Sequence, residues 1–243
     1  MANDDKPSVL VISAHAVDFV WKCAGTMARY AQNGSKVRVI DLTFGERGES
    51  GEVWKSRKGV TEDEGKKIRK EEAENACRIL GAEVRFLDWG DHPLEINRER
   101  IMRLVDEMRE FQPNIILTHH TEDPLNPDHP ATAEAFLKAL RCARQPGVNP
   151  GTPVLGPCKT FLFEPSEAEF CNFTPDVYID ISDVMDIKNK AIDAVLSQRY
   201  LHEPLRIKAE FRGYLAGRIG GNKGITHAET FKRFNAYVGK YFA

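Results

Sequence analysis

His15 and Asp18 stand three residues apart in the stretch Val9-Leu10-Val11-Ile12-Ser13-Ala14-His15-Ala16-Val17-Asp18-Phe19-Val20-Trp21. An imidazole and a carboxylate on one turn can both reach one cation, and they are ligand types that zinc accepts. The same pair also describes a local hydrogen bond or a helix cap. A second cluster, Thr118 to Pro130, carries three imidazoles (His119, His120, His129) and three carboxylates (Glu122, Asp123, Asp128). His129, just before a helical pattern, would complete a His-Asp-His set with an open coordination position, as in catalytic rather than structural zinc sites. The plain alternative is a polar loop whose Asp residues cap the next helix. What favours the metal reading is that both clusters fall at the same kind of place in the chain, directly after a buried strand.

Between them lies Thr43-Phe44-Gly45-Glu46-Arg47-Gly48-Glu49-Ser50-Gly51, rich in glycine and charge. Zinc with an open position polarises a carbonyl, and a conjugated enoate then needs only one carboxylate to move protons to or from water and carbon. Glu46 is the candidate, set against its pairing with Arg47 or Arg69 as a solvated loop charge. Arg47 and Arg69 are candidates for substrate carboxylates, which a guanidinium fork matches bidentately, set against ordinary surface roles. His92, in Asp91-His92-Pro93, reads as a turn residue rather than a ligand.

Strand and helix signals alternate in the elements that must position these residues. Val9 to Ile12 is apolar without alternation, as a strand buried on both faces is. A helix from Phe19 to Asn33 ends at Gly34, and Val37 to Leu42 is a second strand. The segment through Gly51 and the basic run Lys55, Arg57, Lys58 reads as a long loop over the sheet's carboxyl edge, neither strand nor sound helix. Thr61 to Glu64 has capping-box spacing and opens a helix to Leu80, with Gly81 beyond it, before a third strand from Glu83 to Asp88. A helix from about Asn97 to Phe111 precedes a fourth strand, Asn114 to Thr118, and another runs from about Pro130 to Ala143. Residues 145 to 157, with four prolines and three glycines, form a surface loop. Lys159 to Glu164 and Val177 to Ile181 are the last strands expected, followed by helices at about 183 to 200, 204 to 216 and 230 to 241. The alternation implies a Rossmann-like α/β fold, a mostly parallel sheet flanked by helices with right-handed crossovers.

With 243 residues, 42% of them hydrophobic, the chain can bury a full core, and a single domain over 1–243 is expected. Thirty-four basic residues against thirty-six acidic ones leave no field for nucleic acid or an anionic membrane. The acidic start MANDDKPSVL lacks an apolar signal core and no long apolar run follows, so a cytoplasmic protein is expected. Five scattered cysteines without a Cys-x-x-Cys pair suit reduced thiols.

His15-x-x-Asp18, Gly45-Glu46-x-Gly48, Arg69-x-x-Glu72 and Pro127-Asp128-His129 together resemble the PIG-L/LmbE family of zinc-dependent N-deacetylases. The resemblance implies Zn2+ on His15, Asp18 and His129. Two positions depart from the deacetylase pattern. Val17 stands where those enzymes have an Asp as general base, and Asn126 where they have a His that stabilises the tetrahedral intermediate. VISAHAVDFVW, TFGERGES, EDPLN with DHP, and Phe163-Glu164-Pro165 resemble the 4-oxalomesaconate hydratase branch of the family. That branch implies addition of water to the C=C of an unsaturated 2-oxo polycarboxylate in aromatic-acid catabolism. Glu46 would be its acid/base, and Arg47, Arg69 and Asn126 would receive the small anionic substrate. Ser166 follows Phe-Glu-Pro where the branch has a His, so the second acid/base and the exact substrate stay open, with His120 and His227 as other imidazoles. The resemblance also implies a homo-oligomer. The alternatives are an N-deacetylase of an amino sugar or related amide, and a non-catalytic metal- or sugar-binding relative.

Overall fold

The computed structural model describes residues 6–240. Its strands are β1 (Val9–His15), β2 (Val37–Thr43), β3 (Glu83–Phe86), β4 (Ile115–Thr118), β5 (Lys159–Phe163), β6 (Val177–Asp180) and β7 (Ala228–Arg233). Its helices are α1 (Asp18–Gln32), α2 (Gly51–Ser56), α3 (Glu62–Leu80), α4 (Arg98–Phe111), α5 (Asp128–Ala143), α6 (Met185–Asp193) and α7 (His202–Gly220). The strands form one sheet in the order β3-β2-β1-β4-β5-β7-β6. The first five are parallel, with Val9 opposite Val37 on one side and Ile115 on the other.

Both faces of the sheet are covered, and every residue of β1 and β2 is buried, the polar Ser13, His15, Arg38, Asp41 and Thr43 included. Successive side chains point to opposite faces. Val9 and Val11 therefore join Phe19, Met27, Ala73 and Ile192 beneath α1, α3 and α6, whereas Leu10 and Ile12 join Leu104, Met108 and Phe136 beneath α4 and α5. From β1 the chain moves outward to β2 and β3, then returns to add β4 on the other side. That reversal opens a crevice between the carboxyl ends of β1 and β4, where sheets of this kind bind ligands. His15 ends β1 and Thr118 ends β4.

Three expected elements differ. The segment after Gly51 is a short helix, α2, because Ser50 Oγ and Trp54 Nε1 both donate to the Glu46 carbonyl, at 2.5 and 2.6 Å, and Val53 is buried. The helix expected to reach residue 200 stops at Asp193, since Glu72 draws the chain out of helical geometry by accepting the Leu196 and Ser197 amides, each at 2.8 Å. No helix forms at 230 to 240 of the one expected at 230 to 241, whose last residue lies outside the described residues: its start belongs to β7, antiparallel to both β5 and β6, and 234–240 are neither helix nor strand. Ala228 to Phe231 are buried in succession, and pairing on both edges overrides local helical spacing. Glu229 of β7 also repairs a break in α1, where Cys23 leaves helical geometry (φ −148°). Its carboxylate accepts the Gly25 and Thr26 amides, both at 2.8 Å, and is neutralised by Lys188 at 2.6 Å. All five cysteines are free. Among the described residues no helix is long and apolar enough to cross a membrane.

Candidate metal centre and active site

The turn after β1 is closed by the His15 amide, which donates to Asp18 Oδ2 at 2.8 Å, and by the Ala16 amide, which donates to the Thr43 carbonyl at 3.0 Å. Between them Val17 is fully buried at φ 70°, a left-handed conformation that a β-branched residue adopts at a cost of about 1–2 kcal/mol. The turn brings His15 Nδ1 to 3.3 Å from Asp18 Oδ2. From β4 and the start of α5 comes His129, whose Nε2 lies 3.8 Å from the same oxygen.

Each imidazole is tied by its outer nitrogen to a carboxylate. His15 Nε2 meets Asp128 Oδ2 at 3.2 Å and His129 Nδ1 meets Asp123 Oδ2 at 2.8 Å. The inner nitrogens, His15 Nδ1 and His129 Nε2, are buried and have no hydrogen-bond partner among the described residues. Metal-binding histidines are held in this way, with the outer N–H on a carboxylate and the inner lone pair left for the ion. Donor atoms of His15, Glu49 and His129 lie within 4.8 Å of one another, as do those of Asp18, His119 and His129 and those of His15, Asp91 and His92. Burial opposes charge on the His15 ring, yet Asp18, Asp128 and Glu49 around it raise its pKa well above the ordinary value. Burial likewise works against the Asp18 carboxylate, whose pKa the neighbouring imidazoles nevertheless pull well down. Buried carboxylates and bare imidazole nitrogens facing one space fit a divalent cation.

The loop over this space needs two glycines. A Cβ on Gly45 (φ 69°) would stand 3.1 Å from His15 Cβ and 2.8 Å from Glu49 Cβ, and one on Gly48 would fall 2.1 Å from the His92 ring. The close approach delivers Glu49, whose Oε1 is 3.9 Å from His15 Nδ1. Asn126 Nδ2 and Gln198 Nε2 donate to its two oxygens at 2.8 and 2.5 Å. Sequence reasoning passed over Glu49, although it is the second glutamate of the Gly-Glu-Arg-Gly-Glu run.

The other expected site residues are placed differently. Glu46 is fully buried, and among the described residues its carboxylate accepts no hydrogen bond and pairs with Lys66, 3.7 Å away, rather than with Arg47 or Arg69. Burial is the first cause of its raised pKa. Arg69 is corrected from a substrate fork to an internal clamp, because it is fully buried and its donors are occupied by the protein. Nε donates to the Phe44 carbonyl at 3.1 Å, Nη1 to Ser197 Oγ and Gln198 Oε1 at 2.9 Å each, and Nη2 to the Ala16 carbonyl. Arg47 stays at the rim, half-exposed and paired with Glu62 at 3.0 Å. Asn126 orients Glu49.

His92 is a turn residue, with φ 43°, and its ring also reaches the cluster, 5.8 Å from the His15 ring between centroids. His119 accepts the Ala14 amide at Nε2 (3.0 Å) and stacks on His129 with centroids 4.1 Å apart. Burial, then the charge of His129, lowers its pKa to about 3, so it stays neutral. His120 packs edge-on against Phe173, and His227 bonds Thr226 at the β6–β7 flank.

The family profile described as PIG-L, GlcNAc-PI de-N-acetylase, matches residues 10–140. The chain is 41% identical to a 4-oxalmesaconate hydratase of Pseudomonas putida, over 93% of this chain and 86% of that protein. It is 29% identical to a diacetylchitobiose deacetylase of Thermococcus kodakarensis, over 88% of this chain and 80% of that one. Its structure superposes on the crystal structure of GalB, the 4-carboxy-2-hydroxymuconate hydratase of Pseudomonas putida KT2440, with a TM-score of 0.94 at 38% identity, covering 98% of this chain and all of that one. Profile, sheet order and the metal-type cluster at the ends of β1 and β4 agree, and the chain belongs to the PIG-L family.

Proposed function

We propose that this protein is a zinc-dependent hydratase adding water to the C=C of an unsaturated 2-oxo polycarboxylate of the 4-oxalomesaconate type, in the catabolism of aromatic acids. The observation that carries this reading is similarity along almost the whole chain to proteins named as hydratases. It is supported by Val17, whose isopropyl group in the turn beside Asp18 accepts no proton. In this reading His15, Asp18 and His129 hold the zinc, with Asp128 and Asp123 fixing the two rings. When bound, zinc polarises the substrate carbonyl conjugated to the double bond. Glu49, beside the His15 ring and oriented by Asn126 and Gln198, takes the proton from the attacking water and returns one to carbon. Glu46, expected in that role from the sequence motif, pairs with Lys66 on α3.

The five free thiols fit a reducing compartment, the cytoplasm. Ile207, Phe211 and Tyr214 of α7, each more than half exposed, supply the apolar surface that a homo-oligomer would cover. The test is to assay hydration of 4-oxalomesaconate beside acetate release from N,N'-diacetylchitobiose, each with and without chelator. Chelator-sensitive hydration with negligible acetate release is the expected result. The reverse pattern would transfer the assignment to an N-deacetylase.

A further inference from the structure

Lys22 lies one helical turn beyond Asp18 on α1, and that spacing sets both side chains on one face of the helix. Only 7% of the residue is exposed. Its ammonium donates to Ser166 Oγ at 2.8 Å, and among the described residues no carboxylate forms an ion pair with it within 4.0 Å. Neighbouring buried cations are matched: Lys188 by Glu229 at 2.6 Å, and Arg212 by Glu164 through Nε at 3.0 Å and Nη2 at 2.5 Å. Lys208 donates to the Pro165 and Ser166 carbonyls at 3.1 and 2.6 Å and shares Glu164 with Arg212, at 3.8 Å. A small cavity between α1, α7 and β7 is therefore walled by Lys22, Lys188, Lys208 and Arg212 against only Glu164 and Glu229.

An ammonium withdrawn from water without a counter-charge is strongly unfavourable, and the imbalance is relieved when a ligand brings the anion. Asp18, one turn before Lys22 on the same face, lies 3.3 Å from His119 Nε2 and 3.8 Å from His129 Nε2, so that face of α1 is the one turned to the metal-type cluster. We propose that Lys22, with Ser166 Oγ beside it and Lys208 behind it, is the subsite for a substrate carboxylate remote from the reacting carbonyl. It thereby selects polycarboxylates over monocarboxylates. The inference rests on the hydratase reading for the identity of the substrate.

Isothermal titration of the zinc-loaded protein with trans-aconitate, an unsaturated tricarboxylate, and with crotonate, a monocarboxylate, tests it. Lys22→Met should weaken trans-aconitate binding about 10- to 100-fold and leave crotonate affinity and zinc content unchanged. Lys22→Arg should recover part of the loss, and Lys22→Gln reproduces the neutral variant should methionine fail to fold. Equal trans-aconitate affinity in the wild type and the neutral variants overturns the subsite, as does a wild type that binds the two probes alike. The two readings fail separately. Lys22-dependent binding in a protein that hydrates no oxo acid keeps the subsite and removes the hydratase, whereas hydration with Lys22-independent binding does the opposite.

Discussion

Replacing Arg69 with methionine, which keeps the apolar length of the side chain, deletes bonds to four separate acceptors. These are the Phe44 and Ala16 carbonyls, Ser197 Oγ and Gln198 Oε1. It also leaves Glu72, 3.6 Å from Nη1, buried without its cation. The bonds form one network and their energies do not add. Breaking a buried charge pair from one side costs about 3–5 kcal/mol, and in a domain of this size each kcal/mol moves Tm by about 2–4 °C. Thermal unfolding of the zinc-loaded Arg69→Met protein, followed by circular dichroism, should therefore show Tm lowered by about 6–20 °C. Arg69→Lys, which keeps the charge and loses the fork, should fall between the two. A substrate-binding role predicts another pattern. Tm within about 2 °C of the parent, together with KM raised tenfold or more, would refute the clamp and return Arg69 to the substrate.

His129→Ala should lose most bound zinc while the far-ultraviolet spectrum stays native, because the strands pair without the ion; metal analysis finding a full equivalent still bound would remove His129 from the ligand set. Asp123→Asn and Asp128→Asn should each weaken zinc binding about 10- to 100-fold in competition with a chelator. Glu49→Gln should lower kcat by about 10²- to 10⁴-fold, with Glu46→Gln costing less than about tenfold, and the opposite ranking in a steady-state assay would restore proton transfer to Glu46. The wild type should release negligible acetate from N-acetyl amino sugars, and Val17→Asp should gain slight release while losing hydration; brisk release by the wild type would contradict the role given to Val17.

What the sequence discloses is what local spacing encodes. The unbroken apolar run Val9 to Ile12 marks β1, and the Thr61–Glu64 capping box marks the start of α3, where both reciprocal bonds are present. Two metal-type clusters after buried strands converged because parallel strands end at one edge. Pairing and burial across long distances left little trace. β7 is a strand because two partners hydrogen-bond to it, and Glu229 inside it answers a break in α1 roughly two hundred positions earlier. Arg69 did leave a signal. Gly65, Arg69, Ala73, Ala76 and Leu80 recur at three- and four-residue spacing and are all buried, so Arg69 lies in the inward stripe of α3. Its charge suggested the surface, and the stripe outweighs it.

The Arg69 clamp has a consequence for the order in which the molecule can be completed. It ties Ala16 and Phe44, near the start of the chain, to Ser197 and Gln198, and Gln198 in turn holds Glu49. A chain emerging from the ribosome has His15, Asp18 and His129 in hand well before the segment that steadies the loop above them. The candidate metal ligands can thus assemble on the growing sheet, but the carboxylate beside them takes its final position only after Gln198, about seventy residues beyond His129, has been made.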